Sequence, residues 1–333
     1  MPRISRWITG AISVAVLASA SAGVPALAGT PSADSLQSSA FSVGSRHPCG
    51  ATWAVPKRYR HVIWIWMENK AYSQVIGNAD APYQTSLARK CATAPNYADA
   101  GSQYNSLSNY IAATSGRDSC SGGGCPAGTV STWDDCDPSA TCQARVNNLF
   151  RQVRGTGRKA KSYEESMTSN CQLTPSGAYA PKHNPAAYYT AGKDRLACRR
   201  DDVPMGTTAA GAFRHALPTN ARLPAFSFVT PNLCNDTHDC GVATGDAWLA
   251  KWMPRILNSP AYTSRRTAVM IVYDEDTACP NMFIAPTIHP GTTSTRSGLG
   301  HYALLRTTEQ LLGINRYLGH AATAPSFRHV FHF

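Results

Sequence analysis

The sequence predicts an α/β fold with a mostly parallel central sheet, and two patterns lead to this prediction. Continuous apolar runs, typical of strands buried on both faces, occur at His61–Met67, 225–229 and 268–273. Stretches with apolar residues at helical spacing occur at 81–90, 142–154, 245–257 and 301–312. Because strands alternate with helices, we expect an α/β/α sandwich in which helices cover the sheet.

All three apolar runs are followed by polar side chains. These are Glu68 and Asn69 after the first run, Asp236 and His238 after the second, and Asp274 and Glu275 after the third. A single acidic strand end is more often a helix cap or a turn. Three such ends favour a shared site, because ligands of open α/β sheets bind beyond the carboxyl ends of the strands. The oxygen-rich donors suit a divalent cation such as Mg, Ca, Mn or Zn better than a thiolate-bound metal.

The amino-terminal segment predicts secretion. Arg3 and Arg6 precede an apolar stretch that ends at a small-residue cleavage site, Ala26 to Ala28. We therefore expect a signal peptide at 1–28, cleaved after Ala28, rather than an uncleaved anchor, since the stretch is short and interrupted for a membrane span. Residues 29–48, rich in Ser, Ala and Gly, predict a flexible leader, and 49–333 predict one large domain.

The cysteines predict a disulfide-stabilised domain, because all 11 follow the expected cleavage site. Close spacing suggests the pairs Cys120–Cys125, Cys136–Cys142 and Cys234–Cys240, with Cys171–Cys198 also plausible. Cys49, Cys91 and Cys279 remain for one further bridge and one unpaired thiol. Sequence spacing does not determine which of the three stays unpaired.

The chain is basic, with a formal charge of +11, or 11 − 2 = +9 without Arg3 and Arg6. A positive surface attracts phosphate esters, lipid headgroups or nucleic acid, although a merely solvated basic surface explains the charge as well. No clustered pattern of basic and aromatic residues occurs, which argues against nucleic-acid binding. Because no other stretch is long and apolar enough to cross a bilayer, we expect at most peripheral membrane contact.

A possible nucleophile lies where a polar turn leads into a probable helix, in the segment Ser106 to Tyr110. A serine at a helix amino terminus lies near amide donors and the positive end of the helix dipole, and both favour an alkoxide and a bound phosphate. Taken alone, such a serine is usually just a helix cap.

Seven segments, in order, resemble motifs of the bacterial phosphoesterase family. They lie at 61–69, 81–87, 106–110, 182–185, 231–239, 273–276 and 301–313. That family contains secreted acid phosphatases, phosphoinositide phosphatases among them, as well as phospholipases C, and it resembles the alkaline-phosphatase superfamily. Ser108 stands where the family often has proline, and the segment after Asp276 departs from the family's glycine-rich turn. Because of these departures, the sequence does not identify the leaving group of the substrate.

The resemblance implies an alkaline-phosphatase-like fold and a role for each site residue. Ser106 would be the nucleophile and would bind a divalent metal together with Glu68, Asn69, Asp274 and Glu275. The histidines that would bind phosphate oxygens or transfer protons are His183, His238 and His301. Asn109 and Asp236 would orient the substrate phosphate or a histidine.

The function that the resemblance implies is that of a secreted acid phosphatase. It would hydrolyse phosphate monoesters through a phosphoserine intermediate, acting on a phosphorylated small molecule or a phospholipid headgroup, and we expect a monomer. One alternative is a phospholipase C or another phosphodiesterase on the same scaffold. Another is a catalytically inactive, anion-binding secreted protein, which the complete ligand set of Ser106, Glu68, Asn69, Asp274 and Glu275 argues against.

Overall fold

A mixed sheet forms the centre of this computed structural model, which describes residues 42–100, 105–117 and 135–333. Its strands are β1 His61–Met67, β2 Ala92–Thr93, β3 Ala160–Glu164, β4 Asp202–Pro204, β5 Phe226–Thr230, β6 Thr267–Tyr273, β7 Asn281–Ile284 and β8 Thr292–Thr293. Their order is β4-β3-β5-β1-β6-β7-β2-β8. Neighbours from β4 to β6 are parallel, whereas β7 is antiparallel to β6 and β2. The predicted mostly parallel sheet is confirmed.

The α-helices of the described residues cover both faces of this sheet. They are α1 Tyr72–Val75, α2 Pro82–Lys90, α3 Ser106–Ser115, α4 Leu149–Gly155, α5 Asp194–Asp201, α6 Ala212–Ala216, α7 Val242–Leu257, α8 Pro260–Thr263, α9 His301–Leu311 and α10 Phe327–Val330. One group of contacting helices contains α2, α7 and α8, and another contains α3, α4, α9 and α10. Every residue of β1 and β6 is buried, as expected for central strands of an α/β/α sandwich. Within the described ranges, no helix is long and apolar enough to cross a membrane.

One predicted helix, 142–154, is wrong in its first half. Cys142 is tied to Cys136 by a disulfide in a loop, and the helix α4 begins only at Leu149. The side chain of Asn148 accepts a hydrogen bond from the amide of Arg151 over 2.9 Å and so caps the helix there. The prediction placed the helix start too early, because apolar residues of the preceding disulfide loop also have helical spacing.

Four disulfides are present in the described residues: Cys49–Cys91, Cys136–Cys142, Cys171–Cys198 and Cys234–Cys240. Three of them are the pairs predicted from spacing, and the fourth leaves Cys279 as a buried free thiol. The predicted pair Cys120–Cys125 lies outside the described residues. The domain limits stay predictions, although Val43, near the end of the predicted leader, is buried.

The strand order brings the three polar strand ends together, because β1 lies between β5 and β6. Met67 is the register partner of Tyr273, so Glu68 and Asp274 leave the sheet side by side. The loop after β5 folds back onto this point, where the amide of Glu68 donates to the carbonyl of Asp236 over 2.8 Å. Gly245 of α7 permits the close approach, since a Cβ there would lie 2.3 Å from the Thr237 methyl group.

Candidate active site

Three buried carboxylates meet at the carboxyl edge of the sheet. Glu68 and Asp274 are fully buried and Glu275 is 6% exposed, and each offers an oxygen within 4.8 Å of the others. Both carboxylate oxygens of Asp274 lack a hydrogen-bond partner. Burial, and then the charge of Glu68, raises the pKa of Asp274, and burial also raises the pKa of Glu275. Like charges buried this closely are costly without a cation between them.

Ser106 faces this cluster from the first turn of α3. Its hydroxyl oxygen lies 3.2 Å from Glu68 Oε2 and 3.2 Å from Glu275 Oε1, and the hydroxyl donates to one of them at a time. The side chain of Asn105 caps the helix by accepting from the amide of Ser108. The Ser106 side chain therefore does not cap the helix, and its hydroxyl oxygen faces the carboxylates.

The other carboxylate oxygen of Glu68 lies beside two aromatic rings, one of which donates a hydrogen bond to it. The hydroxyl of Tyr110 donates to Glu68 Oε1 over 2.5 Å, and His183 Nε2 lies 3.2 Å from the same oxygen. The two rings stack with centroids 5.4 Å apart. Burial raises the pKa of Glu68 to about 7, and the nearby Asp236 adds to this effect. Glu68 thus faces Ser106 with one oxygen, while the hydrogen bond from Tyr110 orients the other.

His183 bridges two acidic groups. Its Nδ1 lies 3.2 Å from Asp236 Oδ2, and the backbone amide of His238 donates to Asp236 Oδ1 over 2.7 Å. Burial lowers the pKa of His183 to about 4, although the charge of Glu68 opposes the shift. Burial raises the pKa of Asp236 to about 7. His183 is therefore neutral near pH 7, and Asp236 fixes the orientation of its ring.

His301 contacts the backbone of the cluster rather than its carboxylates. Its Nε2 lies 2.6 Å from the carbonyl oxygen of Asp274, and its Nδ1 lies 2.9 Å from the hydroxyl of Tyr97. The carbonyl only accepts, so Nε2 carries the proton and Nδ1 accepts from Tyr97. Burial lowers the pKa of His301 to about 4, which keeps the ring neutral.

His238 lies at the open side of the site, with 27% of its side chain exposed. Its Nδ1 lies 2.7 Å from Asp239 Oδ1, so Nδ1 carries the proton in the neutral ring. Its Nε2 then accepts from Lys182 Nζ, 3.3 Å away. The ammonium group of Lys182 also forms an ion pair of 2.8 Å with Asp135.

Two predicted site residues lie apart from these contacts. Asn69 follows Glu68 directly, but its side chain is exposed. Asn109 is fully buried one turn after Ser106 in α3, and its side-chain oxygen accepts from the amide of Ala100 over 3.0 Å. The remaining predicted residues take part in the contacts described above, and Glu68 and Glu275 contact Ser106 directly.

The donor set fits a divalent cation. Glu68, Asp274 and Glu275 offer carboxylate oxygens, which hard cations prefer, and the two Asp274 oxygens have no hydrogen-bond partner. A second group of suitable spacing, Cys171, Cys198 and Asp202, does not fit, because its two cysteines are bonded to each other.

Four residues at the site were not assigned roles from the sequence. Tyr110 and Lys182 lie inside recognised motifs, and their positions beside Ser106 and His183 were the available signal. Tyr97 and Asp135 gave no local signal, because only the folded chain brings them to His301 and Lys182.

Known proteins with similar sequences are phosphatases. A phosphatidylinositol-3-phosphatase of Mycobacterium tuberculosis is 26% identical over 291 residues, which are 85% of this chain and 86% of that protein. An acid phosphatase of Aspergillus fumigatus is 29% identical over 103 residues, but these are 29% of this chain and only 20% of that protein.

Solved structures with a similar fold include a member of the alkaline phosphatase superfamily from Vibrio parahaemolyticus. It has a TM-score of 0.53 at 12% identity, over 80% of this chain and 70% of that one. A lipoteichoic acid synthase from Listeria monocytogenes has a TM-score of 0.51 at 11% identity, over 84% of this chain and 77% of that one. At these identities the likeness shows the fold alone, which is an alkaline-phosphatase-like α/β/α sandwich.

The family match covers most of the chain and all of the site residues. Residues 65–315 match the phosphoesterase family, and this range includes the serine, the carboxylates and the histidines described above. The chain belongs to the phosphoesterase family and is a phosphoric ester hydrolase.

Proposed function

We propose that this chain is a metal-dependent phosphatase that hydrolyses phosphate monoesters with Ser106 as its nucleophile. The observation that carries the proposal is the position of the Ser106 hydroxyl oxygen, 3.2 Å from Glu68 Oε2 and from Glu275 Oε1. A serine at a helix amino terminus that also faces a cluster of metal-type carboxylates has the neighbours that phosphoryl transfer requires.

Glu68, Asp274 and Glu275 would hold the divalent cation, which is Mg, Ca, Mn or Zn, with Asn69 and Ser106 as further ligands. When bound, such a cation neutralises phosphate charge and lowers the pKa of the serine hydroxyl. The chain itself contributes the positions of these groups. The hydrogen bond from Tyr110 holds Glu68 from one side, and the hydrogen bond from His301 fixes the backbone of Asp274.

The reaction would run in two displacements on phosphorus. Ser106 Oγ loses its proton to solvent and forms a bond to phosphorus while the bond to the leaving-group oxygen breaks, which gives a phosphoserine and an alkoxide that takes up a proton. Water then attacks phosphorus, releases inorganic phosphate and returns the serine. Positioning and charge stabilisation supply most of the rate enhancement in such transfers.

His238 is our candidate for the group that moves the proton to the leaving group. It is the partly exposed histidine of the three, and its Nε2 faces the ammonium of Lys182 rather than a carboxylate. Both ring nitrogens of His301 are occupied, and His183 is buried with its Nδ1 on Asp236, so we assign both histidines positioning roles. Asp236 orients His183, and a substrate contact for Asn109 remains a prediction.

The substrate that we propose is a phosphorylated small molecule or a phospholipid headgroup, phosphoinositides included. The formal charge of +11 favours anionic substrates, and the Mycobacterium tuberculosis relative is named for a phosphoinositide substrate. We further propose that the mature protein is secreted, with 1–28 removed, 29–48 as a leader and 49–333 as the catalytic domain. The disulfides present in the described residues support an oxidising compartment.

Hydrolysis assays test the proposal directly. Protein loaded with each candidate metal should release phosphate from p-nitrophenyl phosphate, and a strong chelator should abolish the release. A panel of phosphoinositides compared with phosphatidylcholine separates the ester classes. Diglyceride release that exceeds phosphate release from monoesters would instead establish the phosphodiesterase alternative. No bound metal together with no hydrolysis would contradict the proposal and favour the inactive, anion-binding alternative.

A further inference from the structure

The Asp135 carboxylate accepts from two donors near the proposed nucleophile, a backbone amide and an ammonium group. Its Oδ1 accepts a hydrogen bond of 3.0 Å from the backbone amide of Leu107, the residue after Ser106. Its Oδ2 forms the ion pair of 2.8 Å with Lys182 Nζ. One carboxylate thus bridges a first-turn amide of α3 and an ammonium group, which is the pattern of donors that binds a phosphate oxygen.

The two donors lie within the site rather than at its margin. Leu107 adjoins Ser106 in the chain, and Lys182 adjoins His183 and contacts His238 Nε2 over 3.3 Å. Lys182 and Asp135 have side chains that are 22% and 28% exposed, so the ion pair is accessible from solvent. The ion pair is therefore open to exchange with an anion from solution.

The position of the Asp135 carboxylate is electrostatically unfavourable, because other carboxylates lie nearby. Asp135 binds the amide that follows Ser106, and so it adds a negative group beside the carboxylates of Glu68 and Glu275 that Ser106 contacts. A phosphate group attached to Ser106 would compete with Asp135 for the Leu107 amide and the Lys182 ammonium, and it would meet the same negative charge. Like charges at this range oppose each other.

We propose that Asp135 is an internal competitor of the substrate phosphate, and that its displacement from Leu107 N and Lys182 Nζ precedes phosphate binding. This inference rests on the proposed function and adds two phosphate ligands to it. Asp135 lowers the affinity for substrate and product alike, and so it favours release of inorganic phosphate after the phosphoserine is hydrolysed.

Calorimetric titration of the metal-loaded full chain with inorganic phosphate, at fixed pH and salt, tests the inference. Asp135→Asn removes the competing charge and should tighten phosphate binding about tenfold. Asp135→Ala removes both contacts and should tighten binding at least as much. Asp137→Asn, at an exposed aspartate of the same segment, makes the same charge change and should leave binding unaltered. Lys182→Gln should weaken binding about tenfold, because a charge-assisted contact is lost.

The inhibition constant of inorganic phosphate against p-nitrophenyl phosphate is the second readout. It should fall in the Asp135 variants, together with KM, and the thermal midpoints of folded variants verify that the proteins are intact. Phosphate binding that is unchanged or weaker in both Asp135 variants overturns the inference. If the parent protein hydrolyses no monoester, the proposed function fails, and the calorimetric comparison still decides the role of Asp135.

Discussion

The Ser106 hydroxyl oxygen lies 3.2 Å from Glu68 Oε2, although the two residues are 38 positions apart in the chain. Ser106→Ala should lower kcat for p-nitrophenyl phosphate at least about a thousandfold, because the attacking oxygen is gone. Ser108→Ala is the matched control, since the Ser108 hydroxyl contacts Asn105 rather than a carboxylate. Acid quenching with radiolabelled substrate should trap phosphoserine in the parent and in the control only. Substantial turnover by Ser106→Ala would contradict the assignment of Ser106 as the nucleophile.

Asp274→Asn should raise the stability of the metal-free protein and weaken its metal binding. Both oxygens of Asp274 are buried without partners, so removing the charge should stabilise the metal-free protein by about 1 kcal/mol or more. The same change should abolish the rise in thermal midpoint that added metal produces in the parent. Asp80→Asn, at an exposed carboxylate, should change neither quantity. Elemental analysis that finds full metal content in Asp274→Asn would contradict the ligand assignment.

Tyr110→Phe should reduce activity while leaving the ring stack on His183 in place. The lost hydrogen bond to Glu68 Oε1 leaves that oxygen less well oriented, and we expect kcat/KM to fall about tenfold. Tyr189→Phe removes a comparable buried hydroxyl, bonded to Thr114 over 2.7 Å, away from the carboxylates. Both variants should lose similar stability in thermal denaturation. Equal activity losses in the two would show that Tyr110 acts only through the fold.

The pH profile of kcat should distinguish His238 from His301. His238→Gln should remove one limb of the profile, because we assign His238 the transfer of a proton. His301→Gln should lower kcat at every pH without changing the shape of the profile, since His301 acts through the carbonyl of Asp274. Tyr97→Phe, which removes the hydroxyl at His301 Nδ1, should resemble His301→Gln. A lost limb in His301→Gln would restore that residue as a proton carrier.

Glu309 should make the fold less stable as the pH rises. It is fully buried in α9, its Oε1 accepts from the amide of Leu318 over 3.0 Å, and burial raises its pKa from 4.5 to about 8. An acid with a raised folded-state pKa contributes stability that is complete below its unfolded pKa and is lost as pH rises through the folded value. Stability should therefore decline from pH 4.5 toward pH 8.

Glu309→Gln keeps the acceptor for Leu318 and removes the charge. Its thermal midpoint relative to the parent should rise between pH 5 and pH 8 by at least about 2 °C. The exposed variant Asp80→Asn should show no such pH-dependent difference. A constant difference across the pH range would mean that Glu309 is charged in the folded protein.

The central strands and the carboxylates were predictable because their signals are local. The apolar runs at β1, β5 and β6 were located within one residue of the observed strands, and the polar residues after them lie where a parallel sheet requires. The strands β3 and β4 were missed because Ala160–Glu164 and Asp202–Pro204 are short and mix polar with apolar residues. The first half of the 142–154 helix was wrong because its apolar spacing belongs partly to a disulfide loop.

The sequence by itself determined the family motifs, the three central strands β1, β5 and β6 with the polar residues that follow them, and the residue types that the site contains. Tertiary structure alone decided the order of strands in the sheet, which places β1 between β5 and β6 and so brings Glu68 beside Asp274. It also decided that Asp135 bonds the amide after Ser106 and that Tyr97 orients His301. Such contacts join residues far apart in the chain, and their geometry follows from packing, which no local pattern of residues records.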